Sequence, residues 1–339
     1  MREYGEKVVF FPGRAAPASR RIGRIARSLA TTPPRGTVDK GVRALYRRFA
    51  PRSFPFPQWV HVEVTNACNL DCVMCPRGSM DRPVGSMDRA LFSDLIRQMT
   101  PTRRFVEGLA LMGLGEPLLH RDLVAMSRQA KEAGFAHVYT STNAQLLTPD
   151  AGERLIREGG LDRIIFSVDG ATRETYESIR VKGDYDRLVA NIEGFLAAKR
   201  RLGATRPRTT FQLLVMDRTR DEIEPFLDRW VPRLGPTDDI LIKTVDTFGG
   251  QVTDFRVDHA LRPAARIPCR QLWKDLSISW DGRVTVCCKD ALYRLDVGNA
   301  RERTLATLWR SPKWEALRAA HRAGRWDMPP CDRCDEWYL

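Results

Sequence analysis

The chain has 339 residues, 43% of them apolar, with eight cysteines and a net charge of +13. That length fits one large domain or a main domain with an appendage. No apolar run reaches the roughly 18 residues of a membrane span, and residues 1–11 lack the basic start and apolar stretch of a signal peptide, so a cytoplasmic protein without a membrane partner is expected.

Residues 1–52 hold 13 Lys/Arg against 3 Asp/Glu. Residues 1–57 therefore read as a basic N-terminal extension, with loop signals at 32–36 and 53–57 and a short helix near 40–49. A solvated extension is expected, with acidic or phosphate-bearing contacts as the alternative. The stretch lacks a base-stacking surface, so no nucleic-acid partner is expected.

From 58 onward strands alternate with helices. Strands are predicted at 59–64, 108–112, 137–140, 163–168, 209–215 and 240–245. Helices are predicted at 91–99, 122–133, 149–158, 186–202 and 221–234. This rhythm implies an α/β fold with a parallel sheet. The span is too short for eight units, so residues 58–250 read as a partial (β/α)6 barrel, with its site at the C-terminal strand ends. After Gly249–Gly250 the rhythm breaks. A hairpin over 276–286 turns at Asp281-Gly282, a helix follows at 305–321, and 251–339 reads as a small second domain.

The cysteines form two groups. Cys68, Cys72 and Cys75 have the spacing CxxxCxxC after the first strand. Three thiolates hold three irons of a 4Fe-4S cluster and leave the fourth open to a small molecule. The alternative is a zinc knuckle short of one ligand, with His61 nearby. Cys269, Cys287, Cys331 and Cys334 complete a second cluster, which passes electrons and binds no small molecule; a structural zinc site is the alternative. Cys288 is spare and reads as a small buried apolar residue. His120 and His137 read as structural.

The first motif resembles the signature of the radical S-adenosylmethionine (radical SAM) superfamily. Gly113-Leu114-Gly115-Glu116-Pro117 resembles the family's GGEP segment, with Leu114 in place of the commoner Gly. Thr140–Asn143 resembles its Thr-Asn-Gly, and Ser167-Val168-Asp169-Gly170 its Ser-x-Asp-Gly. The resemblance implies that Gly115, Glu116, Asn143, Ser167, Asp169 and Arg180 bind S-adenosylmethionine. Glu116 would take the amino group by a charge-assisted hydrogen bond, and Met74 would pack near adenine. The later cysteines, with the Asp281-Gly282 turn and Val297-Gly298-Asn299, resemble the twitch or SPASM auxiliary-cluster extension, in its one-cluster form. This extension also resembles that of the aminoglycoside-pathway alcohol dehydrogenases of antibiotic biosynthesis.

The resemblance implies two 4Fe-4S clusters, S-adenosylmethionine, and an electron donor such as flavodoxin or ferredoxin. It implies hydrogen abstraction from a secondary alcohol of a small sugar- or cyclitol-type substrate, giving a ketone, with the electron passing to the auxiliary cluster. A proton acceptor is required, and Lys289, Asp290, Lys243 and Asp246 are the candidates. A peptide maturase is the competing expectation, disfavoured because 1–57 shows no three-strand recognition module. A non-catalytic iron–sulfur or nucleic-acid-binding protein is the third.

Overall fold

The computed structural model describes residues 7–11, 55–252 and 265–337. The helix expected at 40–49 and the loop at 32–36 lie outside them. The six expected strands form as β2 (Trp59–Val62), β3 (Gly108–Ala110), β4 (Val138–Thr142), β5 (Arg163–Ser167), β6 (Arg208–Val215) and β7 (Asp239–Thr244). The helices between them are α1 (Arg89–Met99), α2 (Leu123–Glu132), α3 (Pro149–Arg157), α4 (Arg173–Ile179), α5 (Tyr185–Arg201) and α6 (Ile223–Trp230).

Local chemistry starts these helices where they start. Asp88 accepts the Leu91 N–H at 2.7 Å, Thr172 that of Thr175 at 3.2 Å, and Asp184 that of Arg187 at 2.9 Å. Thr148 caps α3 with Pro149 in its first turn. Each such cap satisfies an otherwise orphaned N–H and stabilises by about 1 kcal/mol.

Two strands extend the expected sheet. β1 (Val8–Phe11) pairs in parallel with β7, so the basic extension supplies an edge strand. β8 (Asp275–Ile278) pairs in parallel with β2. The full order is β1-β7-β6-β5-β4-β3-β2-β8-β9-β10, with β9 (Arg283–Thr285) and β10 (Asp296–Asn299) antiparallel at the far edge. The 276–286 hairpin therefore grows from the barrel sheet itself.

The helix expected at 305–321 is two helices, α7 (Leu305–Trp309) and α8 (Pro312–Arg322). Pro312 has no N–H to continue a helix, but it suits the first turn of a new one. Ser311 caps that helix.

The main core lies between the outer sheet face and the helices. Val60, Val62, Phe92, Leu95, Met99, Phe166, Phe211 and Trp230 are all fully or almost fully buried there. The inner face carries Ala110, Tyr139 and Ile165, packed with Trp59 and Met112. They close one end of the barrel and leave the C-terminal strand ends open.

His120 and His137 are placed as structural residues. His120 Nε2 lies 2.8 Å from the Met87 carbonyl, and its Nδ1 accepts the Asp122 N–H. His137 stacks on Tyr139 with centroids 5.1 Å apart. Burial lowers the His137 pKa from 6.5 to about 4. Between those values the unfolded chain takes a proton that the folded one refuses. The stability His137 supports is thus complete above pH 6.5 and lost as pH falls toward 4. His137→Gln is expected to flatten the pH dependence of urea unfolding over that window; an unchanged slope would count against it.

Candidate active site

A cavity of about 650 Å³ opens at the C-terminal strand ends. Cys68, Cys72 and Cys75 lie on its wall with Glu116, Asn143, Ser167, Arg180 and Gly115. The cysteine loop is strapped in place by backbone bonds from Asp71 N–H to Val181 and from Val73 N–H to Ile179, both 3.0 Å. Its root is fixed by Asn66, which is fully buried. The Asn66 amide donates to Pro83 O and accepts from Gly85 N–H, each at 2.8 Å. The Thr-Asn pair before the cysteines thus shapes the loop.

Glu116 is 2% exposed. Its carboxylate accepts from Thr142 Oγ1 and Asn143 N–H at 2.7 Å and from Leu118 N–H at 3.0 Å. Burial pushes its pKa up, against the pull of these donors. No Lys or Arg among the described residues pairs directly with it, so the site favours an incoming cation. Gly115 is obligatory: a Cβ there would lie 2.3 Å from the Thr65 carbonyl oxygen. Asn143 also clamps the cysteine loop, donating from Nδ2 to Asn69 Oδ1 at 2.9 Å. Ser167 Oγ faces Ser141 Oγ at 3.1 Å.

Arg180 and Asp169 behave differently from each other. Arg180 lines the cavity, and its Nη1 lies 3.3 Å from Cys72 Sγ. Asp169 has no exposed surface. Its carboxylate accepts the Leu214 N–H and pairs with Arg180. It is a positioning residue behind Arg180 and forms no part of the cavity wall. Met74 is buried against Ile179, Leu214, Met216 and Val245.

Sequence reasoning missed Glu63 and Arg82. Their bidentate pair, with both contacts at 2.5 Å, is 3% and 1% exposed. Glu63 also accepts the Leu114 N–H at 3.2 Å. Its side chain lies so near Gly113 that a Cβ there would approach to 2.5 Å. Nothing in the sequence spacing joins residues 63, 82 and 114.

The four proposed proton acceptors divide. Asp290 is 1% exposed, and its carboxylate is already occupied by Thr285 Oγ1, Arg294 N–H and Leu295 N–H at 2.5–2.9 Å. It lines the cavity, but its carboxylate is engaged by the turn. Lys289, Lys243 and Asp246 meet in one ion cluster completed by Glu336. Two ammonium groups hold the Asp246 pKa well below the usual carboxylate range. Burial pushes that of Glu336 up to about 8, and Asp246 beside it adds to the rise. Two adjacent carboxylates resist double ionisation, so the pair keeps one proton near neutrality.

The later thiols converge as expected. Cys269, Cys287, Cys331 and Cys334 line one pocket with Leu272, Val286, Leu295 and Trp337. Cys287 also lines the large cavity, so this residue is common to both walls. Burial raises the thiol pKa values of Cys269 and Cys331 to about 12 and that of Cys334 to about 11. Loading metal here must therefore release protons. A single tetrahedral zinc would hold its sulfurs about 3.8 Å apart. Among the described residues, no three of these seven thiols lie within 4.8 Å of one another. That wider spacing fits a multi-iron cluster. Cys288 differs from its expected role as an apolar filler, since it faces the large cavity near polar groups.

Comparison with known proteins agrees with this arrangement. Residues 62–229 match the radical SAM superfamily, and residues 269–335 match SPASM, an iron–sulfur cluster-binding domain. The chain belongs to the radical SAM superfamily and carries a SPASM domain. It is 34% identical over 139 residues to an AdoMet-dependent heme synthase of Methanosarcina barkeri, covering 40% of this chain and 38% of that protein. It thus spans well under half the length of that relative. It is 24% identical over 319 residues to a cofactor-modifying protein for the tungsten-containing aldehyde ferredoxin oxidoreductase of Pyrococcus furiosus, covering 82% and 87% of the two chains. Among solved structures, BtrN in complex with AdoMet and 2-DOIA has TM-score 0.58 at 18% identity, covering 83% of this chain and 94% of that one. Streptococcus suis SuiB bound to precursor peptide SuiA has TM-score 0.63 at 14% identity, covering 93% and 81%. At these identities the likeness is one of fold. No helix among the described residues is long and apolar enough to cross a membrane.

In this radical SAM protein the Leu114 departure is accommodated simply. The backbone N–H at 114 is held by Glu63, and the Leu114 side chain is buried, so close approach falls to Gly113 and Gly115.

Proposed function

We propose that this radical SAM SPASM protein oxidises a secondary alcohol of a small polyhydroxylated substrate, of the aminocyclitol or aminoglycoside kind, to a ketone. Cys68, Cys72 and Cys75 would hold one 4Fe-4S cluster, and Cys269, Cys287, Cys331 and Cys334 a second. When bound, the first cluster with S-adenosylmethionine supplies a carbon-centred radical that takes hydrogen from the substrate, and the second supplies the electron sink.

The chain's own residues supply the rest. Glu116 receives the cofactor's ammonium, while Asn143 and Thr142 hold Glu116 in place. Ser167, Ser141 and Arg180 present polar groups to the remainder of the cofactor. Arg180, anchored by Asp169, also puts a positive charge beside the Cys72 sulfur. Lys243, Lys289 and Asp246 face the cavity and bind substrate hydroxyls or an amine. Asp246, ionised while Glu336 holds the pair's proton, is the proposed acceptor of the carbinol proton.

The observation that carries this reading is the place of Cys287 on the walls of both cavities, which makes it the proposed route for an electron leaving the substrate toward the auxiliary site. The cavity of about 650 Å³ would hold S-adenosylmethionine as well as the substrate, which favours a small one. A two-part test follows. An aminocyclitol deuterated at the carbinol carbon should deliver deuterium into 5′-deoxyadenosine. Cys331→Ala should still form 5′-deoxyadenosine, uncoupled, while ketone formation falls by about a hundredfold or more. Full ketone yield from that variant would refute the role of the auxiliary site.

A further inference from the structure

β2 and β8 lie side by side with His61 opposite Ser277, and Asp275 stands two residues before Ser277 on the same strand face. The turn after β9 brings Cys288 against them, with Sγ 3.6 Å from Asp275 Oδ2. One ligand atom each from His61, Asp275 and Cys288 lies within 4.8 Å of the others, the one such trio among the described residues. His61, Cys288 and Ser277 all line the large cavity.

Cys288 contacts His61 and Cys287, whereas Asp275 and Ser277 lack ordinary partners. Asp275 is 4% exposed. Among the described residues its carboxylate pairs with no Lys or Arg and accepts from Cys288 alone. Ser277 is 5% exposed, and its Oγ has no hydrogen-bond partner among them. Ionising a buried carboxylate that has no Lys or Arg partner is costly, and a bound cation offsets that cost.

We propose that His61, Asp275 and Cys288 bind a divalent cation of the zinc class, separate from both cysteine sets, with an open position toward the cavity. The ligand set is one nitrogen, one oxygen and one sulfur, which favours zinc or a late transition metal over magnesium or calcium. Tetrahedral zinc with bonds of about 2.3 Å to sulfur and about 2.0 Å to oxygen sets those two atoms about 3.5 Å apart. The Cys288–Asp275 contact already has that spacing. Three protein ligands leave a fourth place for a hydroxyl, carbonyl or amine of the substrate, with Ser277 Oγ beside it to hydrogen-bond the same group. Cys287, and not Cys288, lines the auxiliary pocket, so Cys288 stands outside that ligand set although its sulfur is within hydrogen-bond reach of Cys287. The inference deepens the reading of the cavity as a substrate site and rests on it.

The test uses the full chain, reconstituted anaerobically with iron and sulfide and dialysed against micromolar zinc sulfate. The expected result is one zinc per chain beside about eight irons. Zinc-edge X-ray absorption of the wild type should show one sulfur at about 2.3 Å and the remaining ligands as nitrogen or oxygen at about 2.0–2.1 Å. Asp275→Asn and Cys288→Ser should each weaken zinc binding by about tenfold or more, with iron content unchanged. Zinc below a tenth per chain in the wild type would overturn the proposal. So would a shell of four sulfurs, which puts zinc on the auxiliary cysteines, or loss of about four irons in Cys288→Ser, which makes that residue a cluster ligand. Release of 5′-deoxyadenosine is read in the same samples, so absent zinc with normal release sinks this inference and leaves the proposed function standing.

Discussion

Cys72→Ala is expected to lose about four of about eight irons per chain and to stop cleavage of S-adenosylmethionine. Cys72 sits between two backbone straps to residues 179 and 181, so its sulfur is held where the loop and Arg180 meet. No other cysteine of the chain lies on that cavity wall except Cys68 and Cys75, and Cys287 and Cys288 opposite. Two remaining thiolates leave the cluster two ligands short. Formation of 5′-deoxyadenosine should fall by about a thousandfold or more, equivalent to about 4 kcal/mol of barrier. The auxiliary irons should remain, which separates loss of one cluster from loss of the fold. Normal iron content with normal 5′-deoxyadenosine release would show that this loop holds no cluster.

Glu63→Ala is expected to destabilise the fold by about 3–5 kcal/mol. The Arg82 guanidinium is buried and bidentate to Glu63, and its outer face rests 4.8 Å from the Tyr293 ring centroid. Removing the carboxylate strands that charge, and desolvation makes an unpaired buried charge far more costly than the pair is favourable. The urea midpoint reads the loss. Glu63→Ala also releases the Leu114 N–H, so the segment carrying Glu116 should loosen and affinity for S-adenosylmethionine should fall. A change under about 1 kcal/mol would mean that solvent reaches Arg82 in place of Glu63.

Much of the site was legible because its signals are local. The CxxxCxxC spacing, the Gly-Glu-Pro segment and the strand-end polar residues each lie within a few residues, on loops that parallel strands must place together. The proton acceptors were not legible in the same way. Asp290 and Lys289 are neighbours in sequence and both line the cavity, yet the first is tied to backbone N–H groups of its turn and the second to the Asp246 and Glu336 carboxylates. Only the path of the chain after β9 separates them. Glu336 and Asp246 are 90 positions apart, and no spacing rule links them.

By itself the sequence determined the alternation of strands and helices from 59 to 244, because apolar periodicity and caps act over one turn or one strand. It also determined two cysteine sets, because ligand spacing within a loop is a short-range property. Tertiary structure decided what depends on strand pairing between distant segments. It joined β1 to β7 and β8 to β2, carrying one sheet from the N-terminal extension through the barrel into the hairpin. It buried Glu63 against Arg82 and set His61 beside Asp275 and Cys288, since long-range register, and not residue type, fixes which side chains share a wall.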